Sequence, residues 1–579
     1  PQAEAGTITS HRAADRAGRG DGARLGLGRR VIRGYDRLAQ VAAQERPGTC
    51  FALLGDANMN FAVRLGALGC RMIHVRHEHC AVAAAMAHAR KTGGVGFATV
   101  TCGPGLTQLT TALPAAVRAG IPLVVLAGEA PLRQAWYNQA IDQAPFVTAT
   151  GAAYHAAHWP ERMPTVLRDA FLQARQERRP VVVGIPFDLQ NQPWQGSDDL
   201  LAPSRDLLPD LSPIPPHAND LSRAAALIDG AERVVVMAGL GAVEAGAGPA
   251  CAALAERCGG LLATTLPARG LFHDDPFCIG IAGGFSTDTA RNCLGQADLI
   301  VAVGCSLARH NADSGALWPN ARVLQVDVAP RSLSQGRIAA EAHLRADARL
   351  GAEALAGAVA RRGGWRSAAL AERIATAPAD GSAQPQAPGL HDPRDVVAAF
   401  EAALPTDWQM VNSSGHCSYY AAQMPSRPQH RFLTIREFGA IGNGLSFALG
   451  VAAACPDDRV VLFDGDGSLL MHVQELETVL RHELDILIVV LNDGAYGSEI
   501  HKLRAEGLPE EGAFFGRTDL AAIARGFGAE GRRLDDLAAV PGLVADWAAM
   551  GGTAVWDVPI DDRILSPVMR RAHPPKAAH

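Results

Sequence analysis

Short, uninterrupted apolar runs recur along this chain, each followed by a turn and then by a stretch of helical period. They include 96–101 (GFATVT), 122–127 (PLVVLA), 180–185 (PVVVGI), 233–238 (RVVVMA), 299–303 (LIVAV), 323–326 (VLQV), 460–464 (VVLFD) and 486–492 (ILIVVLN). A strand without polar alternation is apolar on both faces, and both faces must be covered. Such strands alternating with helices specify mostly parallel sheets with helices on each side, an α/β fold. Ligands of these sheets bind beyond the carboxyl ends of the strands. The residues that follow each run are therefore where chemistry is expected.

The length of 579 residues allows three or four domains of ordinary size. Two stretches rich in Pro and polar residues divide the chain, 188–217 and 363–393. Each is expected to be well solvated and to bury little. The organisation expected is a flexible leader over 1–30, domains over 31–187, 218–362 and 394–579, and linkers between them. The leader carries Arg12, Arg16, Arg19, Arg24, Arg29 and Arg30 without the apolar segment of a secretory signal. Glu4, Asp15 and Asp21 interrupt it as an organelle-targeting leader.

A balance of 53 Lys+Arg against 59 Asp+Glu gives no general attraction to nucleic acid or to an anionic membrane. No apolar run approaches the ~20 residues of a membrane span. The eleven Cys include no CxxC pair. They read as reduced thiols in a cytoplasmic protein rather than as a disulfide framework.

Asp464-Gly465-Asp466-Gly467-Ser468 closes one strand. Its glycines permit a tight turn, and Ser468 is placed to cap the next helix. That helix is expected to run on through Leu469, Val473, Leu476, Leu480 and Leu484. A helix start after a Gly-rich turn attracts anions. A second strand ends in Asn492-Asp493-Gly494, one helix and one strand later. In a βαβ unit that spacing brings Asp466 and Asp493 to one sheet edge. Two carboxylates beside a phosphate-binding turn suit Mg²⁺, a hard cation that takes oxygen ligands.

This pattern resembles the thiamine diphosphate motif, and from about residue 35 the chain is similar to the acetolactate synthase-like enzymes. The resemblance implies a pyrimidine-binding, a middle and a diphosphate-binding domain. It implies Asp466, Asp493 and the Ala495 carbonyl as Mg²⁺ ligands, with Gly465, Gly467, Ser468, Tyr496 and Gly497 around the cofactor. The loop Ser414-Gly415-His416 would contact the diphosphate. Gly439 and Ile441, in EFGAIGNG, match the region where a bulky residue wedges the cofactor into its bent form. Glu78, in MIHVRHEH, takes the place of the acid that hydrogen-bonds the pyrimidine and makes the cofactor reactive. Gly55, Asp56, His77, Cys102, Gln108, Gln143 and Glu499 approach the substrate pocket by family position, as do Tyr496 and His501.

The function implied is decarboxylation of a 2-oxo acid with carboligation to a second carbonyl compound. Simple 2-oxo acid decarboxylases, aldehyde lyases and C–C hydrolases of the same superfamily keep the cofactor residues and differ in the pocket. A degenerate structural or regulatory homologue would have no need of Glu78 together with Asp466 and Asp493. Similar enzymes build each site between subunits, so a homodimer or homotetramer is implied. Some relatives bind FAD in the middle domain. Here Gly239-Leu240-Gly241 is followed by Glu244 where the dinucleotide fingerprint has a third Gly, which argues against FAD. Asp493, Glu129 and Ile441 depart from the usual acetolactate synthase residues and leave the substrate open. His77 and His79 flank Glu78, but the sequence offers no third matched ligand for a zinc centre.

Overall fold

The computed structural model describes residues 31–574 apart from 330–335 and 337–338, so the leader lies outside the described residues. Three six-stranded sheets follow one another along the chain, and every strand pair in them is parallel. The first contains β1 (Thr49–Ala52), β2 (Arg71–His74), β3 (Gly96–Val100), β4 (Leu123–Glu129), β5 (Ala153–Ala156) and β6 (Pro180–Pro186). Its spatial order is β2-β1-β3-β4-β6-β5. The second contains β7 (Val234–Ala238), β8 (Leu261–Thr264), β9 (Cys278–Ile281), β10 (Leu299–Val303), β11 (Arg322–Asp327) and β12 (Ala342–Arg345), in the order β12-β11-β10-β7-β8-β9. The third contains β13 (Gln409–Asn412), β14 (Phe432–Thr434), β15 (Val460–Gly465), β16 (Ile486–Asn492), β17 (Glu530–Arg533) and β18 (Thr553–Pro559). Its order, β14-β13-β15-β16-β18-β17, repeats that of the first sheet strand for strand.

The central strands are buried on both faces, as their unbroken apolar runs require. One apolar core joins the first and third domains. Its centre is the helix Glu78–Thr92, buried all round from His79 to Ala89, against the helix Gly444–Ala454. Small side chains set that contact. A Cβ added to Gly450 would stand 2.1 Å from the Ala84 carbonyl oxygen, so the backbones touch.

The helix expected after β15 is shorter than its apolar period suggested, and the helical stretch after β3 is likewise divided. The stretch through Leu106 and Val117 forms helices Pro104–Thr107 and Ala112–Ala119. The stretch after β15 forms Asp466–Met471 and Glu475–Arg481, interrupted at His472, whose ring bonds back to the Gly442 carbonyl at 2.8 Å. Tertiary hydrogen bonding overrides the helical period there.

The connecting segments are also tied down more than their composition suggested. Ser204 is fully buried, and its N–H and hydroxyl both donate to Glu45 at 2.7 and 2.6 Å. Within 363–393 a helix forms at Ala368–Thr376, and the buried Asp380 receives Arg570 at 2.7 Å. A few charged and polar groups thus dock each connector without an apolar run.

In the middle domain the strand order reverses between β7 and β10. Gly241 N–H donates to the Gly304 carbonyl at 2.9 Å, and a Cβ on Gly239 would stand 2.3 Å from that oxygen. These glycines are spent on packing against the chain's own β10 turn. Among the described residues, no helix is long and apolar enough to cross a membrane. All eleven cysteines are unpaired.

Candidate functional site

The third sheet reverses strand order between β13 and β15, and there the loops after three strands meet. Ser468 does not cap the helix Asp466–Met471; Gly465 takes the cap position. The Ser468 hydroxyl instead accepts the Gly442 N–H at 2.9 Å and lies 3.1 Å from the Ser413 hydroxyl. It links the loop after β13 to the loop after β14 and to the turn after β15. Ile441 belongs to this junction, 3.8 Å from where a Cβ on Gly415 would stand. Gly415 has φ 110, which disfavours any residue with a Cβ.

Asp466 and Asp493 converge here, 1% and 6% exposed. Asp466 Oδ2 accepts the Gly494 N–H at 2.9 Å, and Asp493 Oδ1 accepts the Ala495 N–H at 3.2 Å. Gly494 holds φ 75 to make that turn. Gly497 leaves room for the acid, because a Cβ on it would lie 2.4 Å from Asp493 Oδ2. Burial raises the pKa of both carboxyls, and the charge of Asp466 raises Asp493 further. Two buried acids that resist ionising together mark a place where a cation removes the conflict. All-oxygen donors suit Mg²⁺ rather than a softer metal. The residues present thus fit a diphosphate-bound hard cation.

Other polar groups at the junction lack partners. Asp464, at the end of β15, is fully buried; its Oδ2 has no hydrogen-bond partner and burial pushes it up to about 7. Both ring nitrogens of His501 are unpartnered at 1% exposure. That ring lies 4.5 Å from the ring of His416, whose Nε2 accepts the Ser566 N–H at 3.0 Å. Burial drives His416 well below the usual range, so it is neutral. Tyr496 is exposed, with its ring 5.2 Å from Phe515 and close over Gly467. Gly439 is exposed at the rim.

Glu78 opens the helix that follows β2 and is half-buried, and burial raises its pKa. Its Oε1 lies 3.3 Å from where a Cβ on Gly105 would stand. The strand-order reversal of the first sheet, between β1 and β3, gathers some of the expected pocket residues. Gly55 packs on Thr101. Asp56 is exposed and accepts the Tyr137 hydroxyl at 3.2 Å. Cys102 is buried, with Sγ 3.5 Å from Gln139 Oε1.

The remaining pocket expectations fare differently. Gln143 is buried and consumed by structure: it accepts from Gly103 N–H and donates to the Gly128 carbonyl, each at 3.0 Å. Gln108 is exposed just past the helix Pro104–Thr107. Glu499 is exposed and pairs with Lys502 at 2.8 Å, as a solvated helix acid does.

Sequence reasoning missed how segment 74–80 docks on segment 472–482. The buried Glu475 accepts the Arg76 N–H at 3.0 Å, and His74 N–H donates to His482 Nε2 at 3.0 Å. The rings of His77 and His79 lie 5.2 and 4.9 Å from that of His472. These partners are some 400 positions apart, and no local pattern announces them. Two cavities, of about 490 and about 590 Å³, are lined by other residues than Glu78, Asp466 and Asp493.

Three families match the chain. They are described as "Thiamine pyrophosphate enzyme, N-terminal TPP binding domain" over residues 32–146, "central domain" over 221–355 and "C-terminal TPP binding domain" over 413–558. Similar proteins include the acetolactate synthase large subunit of Parasynechococcus marenigrum (strain WH8102), 30% identical over 80% of this chain and 76% of its own length. A probable chloroplastic acetolactate synthase 2 of Oryza sativa subsp. japonica is 29% identical over 84% of this chain and 76% of its own. The acetolactate synthase isozyme 1 large subunit of Escherichia coli (strain K12) is 28% identical over 79% and 82%.

Proposed function

This chain belongs to the thiamine pyrophosphate enzymes, in their acetolactate synthase-like branch, and we propose from that premise a Mg²⁺-dependent enzyme that decarboxylates a 2-oxo acid and joins the remaining acyl carbon to a second carbonyl compound. The observation that carries the reading is the buried Asp466–Asp493 pair at the strand-order reversal of the third sheet.

In this reading Asp466, Asp493 and the Ala495 carbonyl hold Mg²⁺, and the cation holds the diphosphate. Ser414, Gly415 and His416 line the diphosphate with Gly465, Gly467 and Ser468, while Tyr496 and Gly497 close the turn. Ile441, next to Gly439, supplies apolar bulk beneath the cofactor. When bound, thiamine diphosphate would supply a nucleophilic ring carbon and a thiazolium ring able to take up the electron pair left as CO₂ departs. The Glu78 carboxyl would donate and take back a proton in a hydrogen bond to the cofactor's pyrimidine. Its raised pKa favours holding that proton, which suits an acid that must donate and recover it.

The site is shared between two chains in this reading, as a homodimer or homotetramer. Gly55, Asp56 and Cys102, at the carboxyl ends of the strands of the first sheet, remain the candidate substrate contacts.

The test is turnover of a panel of 2-oxo acids with thiamine diphosphate and Mg²⁺, following CO₂ and coupled products by mass spectrometry. Coupled hydroxy-keto products are expected. Aldehyde without coupled product would indicate simple decarboxylation, and no consumption of any 2-oxo acid would overturn the reading.

A further inference from the structure

We propose that His77, Cys80 and His472 form a second metal site, for a borderline transition cation such as Zn²⁺, that pins the first domain to the third. One donor atom from each residue lies within 4.8 Å of the others. His77 and Cys80 sit at the start of the helix Glu78–Thr92, three positions apart and so on one face. His472 comes from the break after the helix Asp466–Met471, in the other domain. The third ligand missing from the local sequence is thus delivered by the fold.

The surroundings match a metal centre. The Gly442 carbonyl can only accept, so His472 Nδ1 carries the proton and Nε2 keeps a free lone pair. A ring nitrogen held by a backbone carbonyl is the usual outer partner of a metal-binding His. His77 Nδ1 accepts the His79 N–H at 3.1 Å, a weak cap that a cation exchanges for a coordinate bond. Cys80 is fully buried and its thiol hydrogen-bonds the Glu475 carboxylate, itself fully buried. Without metal, burial and Glu475 raise the Cys80 pKa, so it is a thiol. On binding, the S–H bond breaks, an S–Zn bond forms and the proton leaves to solvent. The thiolate and Glu475 together offset the two charges of the cation. Two nitrogens and one sulfur select against Mg²⁺, so this centre and the carboxylate pair take different ions.

Co²⁺ is the probe, added to the full chain stripped by chelator, with thiamine diphosphate and excess Mg²⁺ holding the carboxylate site. The expected result is thiolate-to-cobalt charge-transfer absorption that saturates at a single equivalent and is displaced by Zn²⁺. Cys80→Ser loses the band, and His472→Gln weakens Co²⁺ binding at least about tenfold. Absence of the band in the parent chain, or its survival in Cys80→Ser, overturns the proposal. If Cys80→Ser does not fold, unchanged Co²⁺ affinity in His472→Gln overturns it as well.

Discussion

The first and third domains share one strand order, yet their crevices hold different chemistry. In the third sheet the reversal point carries three buried carboxyls, Asp464, Asp466 and Asp493, with hydroxyls and tight glycine turns around them. The corresponding point of the first sheet carries Cys102, Gln139 and an exposed Asp56. One scaffold therefore serves twice. The loops make one copy gather buried acids, which under the proposed function would serve a cation and its diphosphate, while the other would contribute the single acid Glu78 from after its second strand. The middle domain differs again, with Gly239 and Gly241 at its reversal point packed against Gly304 after β10.

The largest effect expected from breaking this division is at the carboxylate pair. Asp466→Ala should abolish Mg²⁺-dependent binding of thiamine diphosphate in calorimetry, because Asp493 alone cannot hold the cation. Asp56→Asn, in the equivalent crevice, should leave that binding unchanged. Equal losses from both would dissolve the contrast.

Glu78→Gln should lower the rate of C2 proton exchange of bound thiamine diphosphate by about 10²–10⁴. Its diphosphate affinity should stay near that of the parent. Exchange as fast as in the parent would remove Glu78 from its role.

The contact between the two domains is open to a smaller perturbation. Gly450→Ala places a Cβ against the Ala84 carbonyl and should destabilise by about 1–3 kcal/mol, read from chemical denaturation. A neutral result would mean that the two helices separate without cost.

The smallest effect concerns pH. His88 is buried, and burial lowers its pKa to about 4 from 6.5. The unfolded chain takes the proton first, so this contribution is present above about 6.5 and is lost as pH falls towards 4. His88→Phe should flatten the fall of thermal midpoint over that window. An unchanged slope would assign the acid sensitivity to other groups.

Much of this arrangement is written locally. The continuous runs in β4, β7, β10 and β16 announce parallel sheets, and Asp466 and Asp493 announce themselves by what precedes them. The docking is not written locally. Nothing near Glu475 says that it receives Arg76, and nothing near His77 says that His472 will meet it. Ser468 looks like a helix cap in sequence, but the Gly442 N–H claims its hydroxyl. The long amphipathic period after β15 is cut at His472 for a similar reason. Gln143 looks free to meet a substrate until the turn at Gly103 takes its carbonyl. In each case a partner far along the chain outweighs the local signal.

The proposed function has one cofactor held by the third domain of one chain and made reactive by the first domain of another. Co-expression of Glu78→Gln with Asp466→Ala tests it most directly, each variant being inactive alone. A mixed assembly restores one intact site from the unaltered Glu78 of one chain and the unaltered Asp466 of the other. Turnover of a 2-oxo acid should return in the mixed assembly. Mixed assemblies no more active than either variant alone would contradict it.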